Sequence, residues 1–147
     1  MRALWLENIL AVSFCCAQTM ASGSIDIAHA WFRAMPASLP AAGYFELHNG
    51  TANKVVLMGA TSPMCSMLML HKSGTEEGMA EMKEVDSIPL AAGSTAYFRP
   101  DGLHLMCMDP AKAFHPGASV PVTLKFNNGQ KVSTGFQVKP TRARSDQ

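Results

Sequence analysis

The sequence predicts a single all-β domain, a sandwich or barrel of about eight strands. Short apolar segments recur at roughly 8–12-residue spacing and are separated by Gly, Asn, Asp and Pro residues, as in sheets joined by tight turns. No segment shows a sustained apolar period of about 3.6 residues, which an amphipathic helix would require. The 147 residues suit one domain with a substantial core. We expect that domain to occupy residues 22–140, with a loose tail over 141–147.

The predicted strands are separated by recognisable turn signals. Asn49-Gly50 and Asp101-Gly102 mark two turns, and the Asn-Asn-Gly segment at 127–129 predicts the clearest hairpin. The polar segment KSGTEEG, which ends in a glycine, predicts another hairpin between the strands that flank it. The predicted strands cover residues 43–48, 55–58, 66–71, 79–85, 94–100, 104–108, 120–126 and 130–139.

Charge and composition argue against several function classes. The formal net charge is +1 and only 16% of residues are charged, so no basic face predicts nucleic-acid binding. The chain has no phosphate-binding glycine loop, no Gly-x-Ser-x-Gly nucleophile elbow and no Cys-x-x-Cys pair. We therefore expect a binding protein and not an enzyme. Methionine is unusually frequent, with 11 in the chain and a concentration of them between residues 64 and 108.

The N-terminal residues 1–21 are predicted to be a signal peptide that directs export. Arg2 precedes an apolar stretch over residues 9–16, and the small residues that follow resemble a cleavage site. The apolar stretch is too short to span a bilayer, so we expect no membrane span in the mature chain. A buried N-terminal helix, or a lipid attached to Cys15 or Cys16, is the weaker alternative.

Removal of this segment leaves two cysteines, Cys65 and Cys107. An oxidising compartment would allow one disulfide between them. Alternation along the strand 104–108 turns Cys107 toward the core and away from His104, whereas Cys65 lies in the turn-like segment TSPMCS. This placement argues against a disulfide. We expect Cys107 to be a buried thiol and Cys65 a more exposed one.

Histidine and methionine side chains share faces of the predicted strands. His104 and Met106 lie on one face of the strand 104–108, and His71 ends another strand. Met82 lies across the predicted hairpin, where we expect it to be a cross-strand partner of His71. Together these residues form the pattern His-x10-Met-x21-His-x-Met.

Two imidazoles and two thioethers can surround one metal ion, and the softness of the ligands then identifies the ion. Thioether sulfur binds hard and borderline ions weakly, whereas Cu(I) accepts both thioether and imidazole. Zinc would favour cysteine or carboxylate ligands. Met67 and Met69 share the face of His71 and are candidates for a soft surface beside the site, while Met108 is predicted to lie at its rim. The remaining histidines, His29, His48 and His115, lie outside the pattern.

The chain resembles the periplasmic copper chaperone family PCuAC over roughly residues 27–138. The His-x10-Met-x21-His-x-Met spacing carries the resemblance, together with the flanking motifs AWFRAMP, AAGYFELHN, PDGLHLMCM and LKFNNGQKV. One departure is Ala80, at a position where the family commonly has another methionine.

This resemblance implies a cupredoxin-like Greek-key β-sandwich that binds Cu(I) in the periplasm. It implies that the role is to carry copper to respiratory cytochrome oxidase assembly, with a copper-bearing oxidase subunit or another copper chaperone as acceptor. We expect a monomer. The ligands implied by the resemblance are His71, Met82, His104 and Met106.

Two other interpretations stay open at this point. A blue-copper electron carrier would share the fold, but it needs a His₂Cys set with a weak axial methionine, and Cys107 is predicted to face away from His104. The other is an exported β-sandwich that binds a protein and no metal. An intense blue colour when oxidised would identify the electron carrier, and an inability to retain copper would identify the metal-free protein.

Overall fold

Strands form all the regular secondary structure of the part of the chain that the structure describes. The structure is a computed structural model, and it describes residues 23–36 and 39–141. The all-β prediction is therefore confirmed. The signal-peptide prediction and nearly all of the predicted tail lie outside the described residues. None of the described residues forms a helix long and apolar enough to cross a membrane. The strands are β1 (Ile25–Arg33), β2 (Ala41–Asn49), β3 (Val55–Thr61), β4 (Met67–Glu76), β5 (Met79–Glu84), β6 (Ile88–Leu90), β7 (Thr95–Phe98), β8 (Leu103–Met108), β9 (Ser119–Phe126) and β10 (Lys131–Lys139).

The strands pair in the order β5-β4-β8-β7-β2-β1-β10-β9-β3-β6. An additional pairing between β3 and β4 connects the two halves of this order, so the sheet curls back on itself into a single sandwich. Most neighbours are antiparallel, and the two parallel pairs are β1–β10 and β7–β8. β8 pairs with β4 along one edge and with β2 along the other, so it lies inside the sheet.

Alternate residues of the central strands fill the core between the two layers. Phe45 stacks on Phe98 with ring centroids 4.0 Å apart, and Phe136 meets Phe45 edge-on at 5.3 Å. Gly43 is required beside this cluster, because a Cβ atom there would lie 2.6 Å from the ring of Phe32. These contacts fix β2 against β1 and β10 and give β8 a rigid neighbour.

Both predicted hairpins are confirmed, as β4–β5 and β9–β10, but two strands were not predicted. In β1, the register against β2 shifts between Ala28 and Trp31, and His29 has a φ of 53°. This bulge breaks the strict alternation by which a strand is recognised. The other missed strand, β6, has only three residues.

The prediction that Cys65 and Cys107 stay unpaired is wrong, because they form a disulfide with a Cα–Cα distance of 5.3 Å. Cys107 faces the core and is fully buried, as predicted. The error concerns Cys65. A hydrogen bond of 2.9 Å from the Ser66 backbone N–H to the Met108 carbonyl holds its turn against β8. Cys65 therefore packs inward against the core, although it lies in a turn.

Loss of this disulfide should destabilise the fold substantially. Its cysteines are separated by 42 positions, so the bond closes a long loop in the unfolded chain, and its loss should cost about 2–4 kcal/mol. We expect the Cys65→Ala/Cys107→Ala variant to lose that much free energy of unfolding in urea denaturation. Wild-type protein unfolded with reductant present is the matched control. Alkylation of either cysteine in folded, unreduced protein would contradict the disulfide.

Candidate metal centre

The register between β4 and β8 gathers imidazole and thioether groups on the outer face of the sheet. Residues directly opposite each other in an antiparallel pair project to the same side. The residues between them, including Leu70 and Leu105, point the other way into the core. The outward-facing rows are therefore the pairs Met67–Met108, Met69–Met106 and His71–His104.

Met82 lies on this same face, but the predicted pairing is wrong by one row. It pairs with Ser73, and Glu84 occupies the place opposite His71. The polar segment 72–78 was expected to be mostly loop, yet β4 continues to Glu76. Met82 is therefore diagonal to His71, and diagonal neighbours in an antiparallel pair are about 7–8 Å apart, a distance that long side chains can bridge.

The short β4–β5 turn explains why Met82 pairs with Ser73 and not with His71. Only Glu77 and Gly78 connect the strands, with φ values of 51° and 79°. Positive φ at both central residues is the type I′ geometry that favours two-residue hairpins. Such a turn makes Glu76 the partner of Met79, and that pair fixes every later pair of the ladder.

His104 has one ring nitrogen engaged and the other free. The residue is only 3% exposed, and Nδ1 donates to the carbonyl oxygen of Gly102 at 3.0 Å. Because a carbonyl can only accept, Nδ1 must carry a proton, and in the neutral ring Nε2 then presents a lone pair. Nε2 is buried without a hydrogen-bond partner. Such an orphaned acceptor is costly in a fold unless a ligand uses it.

His71 faces His104 across the strand pair. The ring centroids are 5.6 Å apart with the rings nearly perpendicular, and Nδ1 of His71 is also buried without a partner. Burial lowers the pKa of His71 below its usual value, His104 lowers it further, and Glu84 opposes the shift. A lowered pKa favours the neutral imidazole, which is the form that binds metal.

Tyr44 and Trp31 form an aromatic cluster beside the ring of His104, here called the aromatic wall. The ring of Tyr44 lies 6.5 Å from the imidazole, and Trp31 packs on Tyr44 at 4.8 Å. Arg33 places its guanidinium 5.5 Å from the Tyr44 ring. Burial raises the pKa of Tyr44, so this residue is a neutral phenol and not an anionic ligand. The motif AAGYFELHN was noted in the sequence, but no pattern in it predicted that Tyr44 lies beside His104.

The disulfide removes thiolate from this centre. Cys107 faces the core, on the side of β8 opposite His104, and its sulfur is bonded to Cys65. Within the described part of the chain, no group of three or more His, Cys, Asp or Glu side chains is placed to hold a metal ion. The His₂Cys set of a blue-copper protein is therefore not assembled here. The donors that the fold brings together on this face are imidazole nitrogen and thioether sulfur.

The histidines outside the pattern lie on other elements. His48, on β2, has its Nδ1 hydrogen-bonded to the Thr95 hydroxyl at 2.9 Å. His29 lies in the β1 bulge, and His115 is exposed in the connection before β9. None of them belongs to the outer face of β4 and β8, as the spacing predicted.

Comparison with known proteins gives both a family and a set of structural neighbours. The family model described as "Putative lipoprotein LpqE-like" matches residues 25–138. A protein of Leifsonia xyli subsp. xyli described as "Putative lipoprotein Lxx21020" is 31% identical over 116 residues, which cover 78% of this chain and 69% of that protein.

Solved structures share the fold over nearly their whole length. The copper-bound PCuAC domain from PmoF2 superposes with a TM-score of 0.67 at 25% identity, covering 82% of this chain and 96% of that domain. The solution structure of CuI-DR1885 from Deinococcus radiodurans gives a TM-score of 0.61 at 28% identity, covering 88% of this chain and 85% of that one. The predicted cupredoxin-like sandwich is thereby confirmed.

The Gly102 hydrogen bond should be visible in the tautomer of His104. In metal-free protein at mildly alkaline pH, long-range ¹H–¹⁵N NMR spectra should show a protonated Nδ1 and an unprotonated Nε2. His48 is a useful comparison, because the Thr95 hydroxyl can donate or accept and does not force one tautomer. A protonated Nε2 on His104 would show that the lone pair points away from the proposed metal.

Proposed function

Because the chain belongs to the LpqE-like family and resembles PCuAC domains, we propose that it is an exported copper(I) chaperone. It binds one ion tightly and passes it to an acceptor protein without any turnover chemistry. The proposed ligands are His71, Met82, His104 and Met106. The naming of PmoF2 and DR1885 structures as copper-bound or CuI forms supports copper as the ion.

The observation that carries this proposal is the unpartnered Nε2 of His104. A buried nitrogen whose lone pair meets no donor destabilises the folded protein by about 1–3 kcal/mol. The opposing His71 also has a buried nitrogen without a partner. A metal ion between the two rings would satisfy both histidines, whereas a purely structural role would leave the cost unexplained.

The thioethers select the oxidation state and the metal. Cu(I) is a soft ion and binds thioether sulfur readily, while zinc prefers thiolate or carboxylate. Met82 and Met106 need no deprotonation to bind an ion and cannot be lost to disulfide formation, which suits an exported site. The Cys65–Cys107 disulfide is itself typical of exported proteins.

The site has one closed and one open side, which suits release by ligand exchange. His104 is 3% exposed, whereas Met82 is 52% exposed on the neighbouring edge strand. A ligand of the acceptor protein can reach the ion first from the Met82 side. Replacement of the other ligands follows one at a time, so the ion is never fully released to water.

Location and acceptor follow from the same proposal. The relatives described as lipoproteins support export, as does the predicted signal peptide. We propose the periplasm as the compartment. The acceptor we propose is a copper-bearing subunit of cytochrome oxidase during its assembly, or another copper chaperone.

Replacement of Met106 should weaken Cu(I) binding while changing the stability of the fold little. The change Met106→Leu nearly conserves volume, so it should lower the free energy of unfolding by less than about 1.5 kcal/mol. It removes one soft ligand and should weaken Cu(I) binding by more than about tenfold, the equivalent of 1.4 kcal/mol. Competition titration with a Cu(I) chelator measures this affinity.

The control for this experiment is Met79→Leu. Met79 is more exposed than Met106 but lies one residue out of phase with the Met82 face of β5, so its loss should leave Cu(I) affinity unchanged. The same sulfur count by X-ray absorption in wild type and Met106→Leu would show that Met106 is not a ligand. Wild-type binding of zinc as tightly as Cu(I) would overturn the proposal.

Export should be detectable as a shortened product. Cell fractionation should place the protein outside the cytoplasm, with a mature N-terminus near Ser22 by mass spectrometry. A lipid-modified N-terminus at Cys15 or Cys16 would keep export but replace the predicted cleavage site. A full-length cytoplasmic product would contradict export.

A further inference from the structure

Three additional methionines continue the proposed copper site along the outer face of β4 and β8. Met67 lies directly opposite Met108, and Met69 lies directly opposite the proposed ligand Met106. Directly opposed Cβ atoms in an antiparallel pair are about 4.5–5.5 Å apart. Methionine side chains are unbranched and flexible, so thioethers at this spacing can converge on one ion.

Packing does not account for these three methionines. Inward-facing residues of the same two strands, Leu68 and Cys107, fill the core at 8% and 0% exposure. Met67 projects to the opposite side and is 58% exposed, while Met69 and Met108 are half-buried there. A contiguous exposed patch of large apolar side chains is a feature that calls for a binding role.

The side chains of β4 and β8 beside this patch do not oppose a cation, and Arg33 lies in the Met69–Met106 row two strands away, across Ala42. The outward-facing positions of the paired segments of β4 and β8 hold methionine and histidine and no lysine or arginine. Beyond the Met67–Met108 row, the Ser66 hydroxyl donates to Oδ2 of Asp109 at 2.9 Å, which fixes a carboxylate one residue along the chain from Met108. This carboxylate adds negative charge near the end of the strand pair.

We propose that Met67, Met69 and Met108 form a second copper(I) site, built from thioethers alone, through which the ion passes to the four-ligand site. This inference rests on the proposed function. Neighbouring rows along a strand are about 6.5–7 Å apart. Met69 faces Met106, so these two thioethers connect the second site with the first. The transfer exchanges one ligand for another, and copper remains Cu(I) throughout.

The two sites should fill in a defined order in a titration. The four-ligand site fills first, because it includes two imidazoles. An ion already bound there repels a second cation at this distance, so the thioether site fills second and more weakly. In transfer, the ion meets the more exposed thioether site before the buried histidine.

Methyl NMR of the full chain, labelled with ¹³C at the methionine methyl groups, tests this inference. Cu(I) is added anaerobically as its acetonitrile complex. The first equivalent should shift the methyl signals of Met82 and Met106, and the second should shift those of Met67, Met69 and Met108. Met79 is 73% exposed and lies out of phase with Met82, so its signal should stay in place and serves as an internal control.

Variants make the assignment specific. Met67→Leu/Met108→Leu should abolish the second step and keep the first, whereas Met79→Leu should change neither.

If Met82 and Met106 respond but Met67, Met69 and Met108 stay unmoved through two equivalents, the second site is overturned and the proposed function stands. A Met79 shift as large as theirs would equally overturn it, as unspecific thioether binding. Unmoved signals from Met82 and Met106 would overturn the proposed function and this inference with it.

Discussion

The antiparallel pairing of β4 with β8 is the constraint on which the rest of the structure depends. One register places Leu70 opposite Leu105 in the core and His71 opposite His104 outside it. A slip by one residue would turn the imidazoles toward the core and the leucines toward the outer face. Core packing and the proposed metal site are thus two consequences of a single alignment. The apolar face supplies the free energy that holds the polar face in register.

The disulfide and the aromatic wall support this alignment from opposite ends. The Cys65–Cys107 bond ties the start of β4 to the end of β8, below the methionine rows. Tyr44 on β2 limits the position of the His104 ring from the other side. With Nδ1 of His104 engaged by Gly102, the ring is held before any ion arrives. Binding through His104 would therefore cost little further side-chain entropy.

The features that could be predicted from sequence are those that follow from a strict period of two. Alternation along 104–108 correctly separated His104 and Met106 from Cys107, because side chains on an uninterrupted strand must alternate. The same rule placed His71, Met67 and Met69 together. Met82 was predicted as a metal ligand only from residue types and their spacing, because the predicted pairing of β5 with β4 was wrong.

The predictions that were wrong concern features that depend on contacts between distant segments. The correct partner of Met82 could be predicted only if the length of the turn were known. The polar residues of segment 72–78 resemble a loop, although β4 continues to Glu76. The disulfide was missed because local sequence cannot say that the turn before β4 folds against β8. In β1, the bulge at His29 removed the alternation that would have identified the strand.

The edge strand β5 and the rest of the sandwich differ strongly in local stability. All but one residue of β5 is exposed, and exposed ion pairs such as Lys83–Glu76 at 2.8 Å add little stability. This strand can separate locally from β4 at a small fraction of the free energy needed to unfold the sandwich, since it buries almost no core. Met82 therefore belongs to a unit of low local stability, while His104 and Met106 belong to the globally stable one. Under the proposed function, fraying of this one edge strand would govern departure of the copper ion, and the scaffold would stay folded to bind the next one.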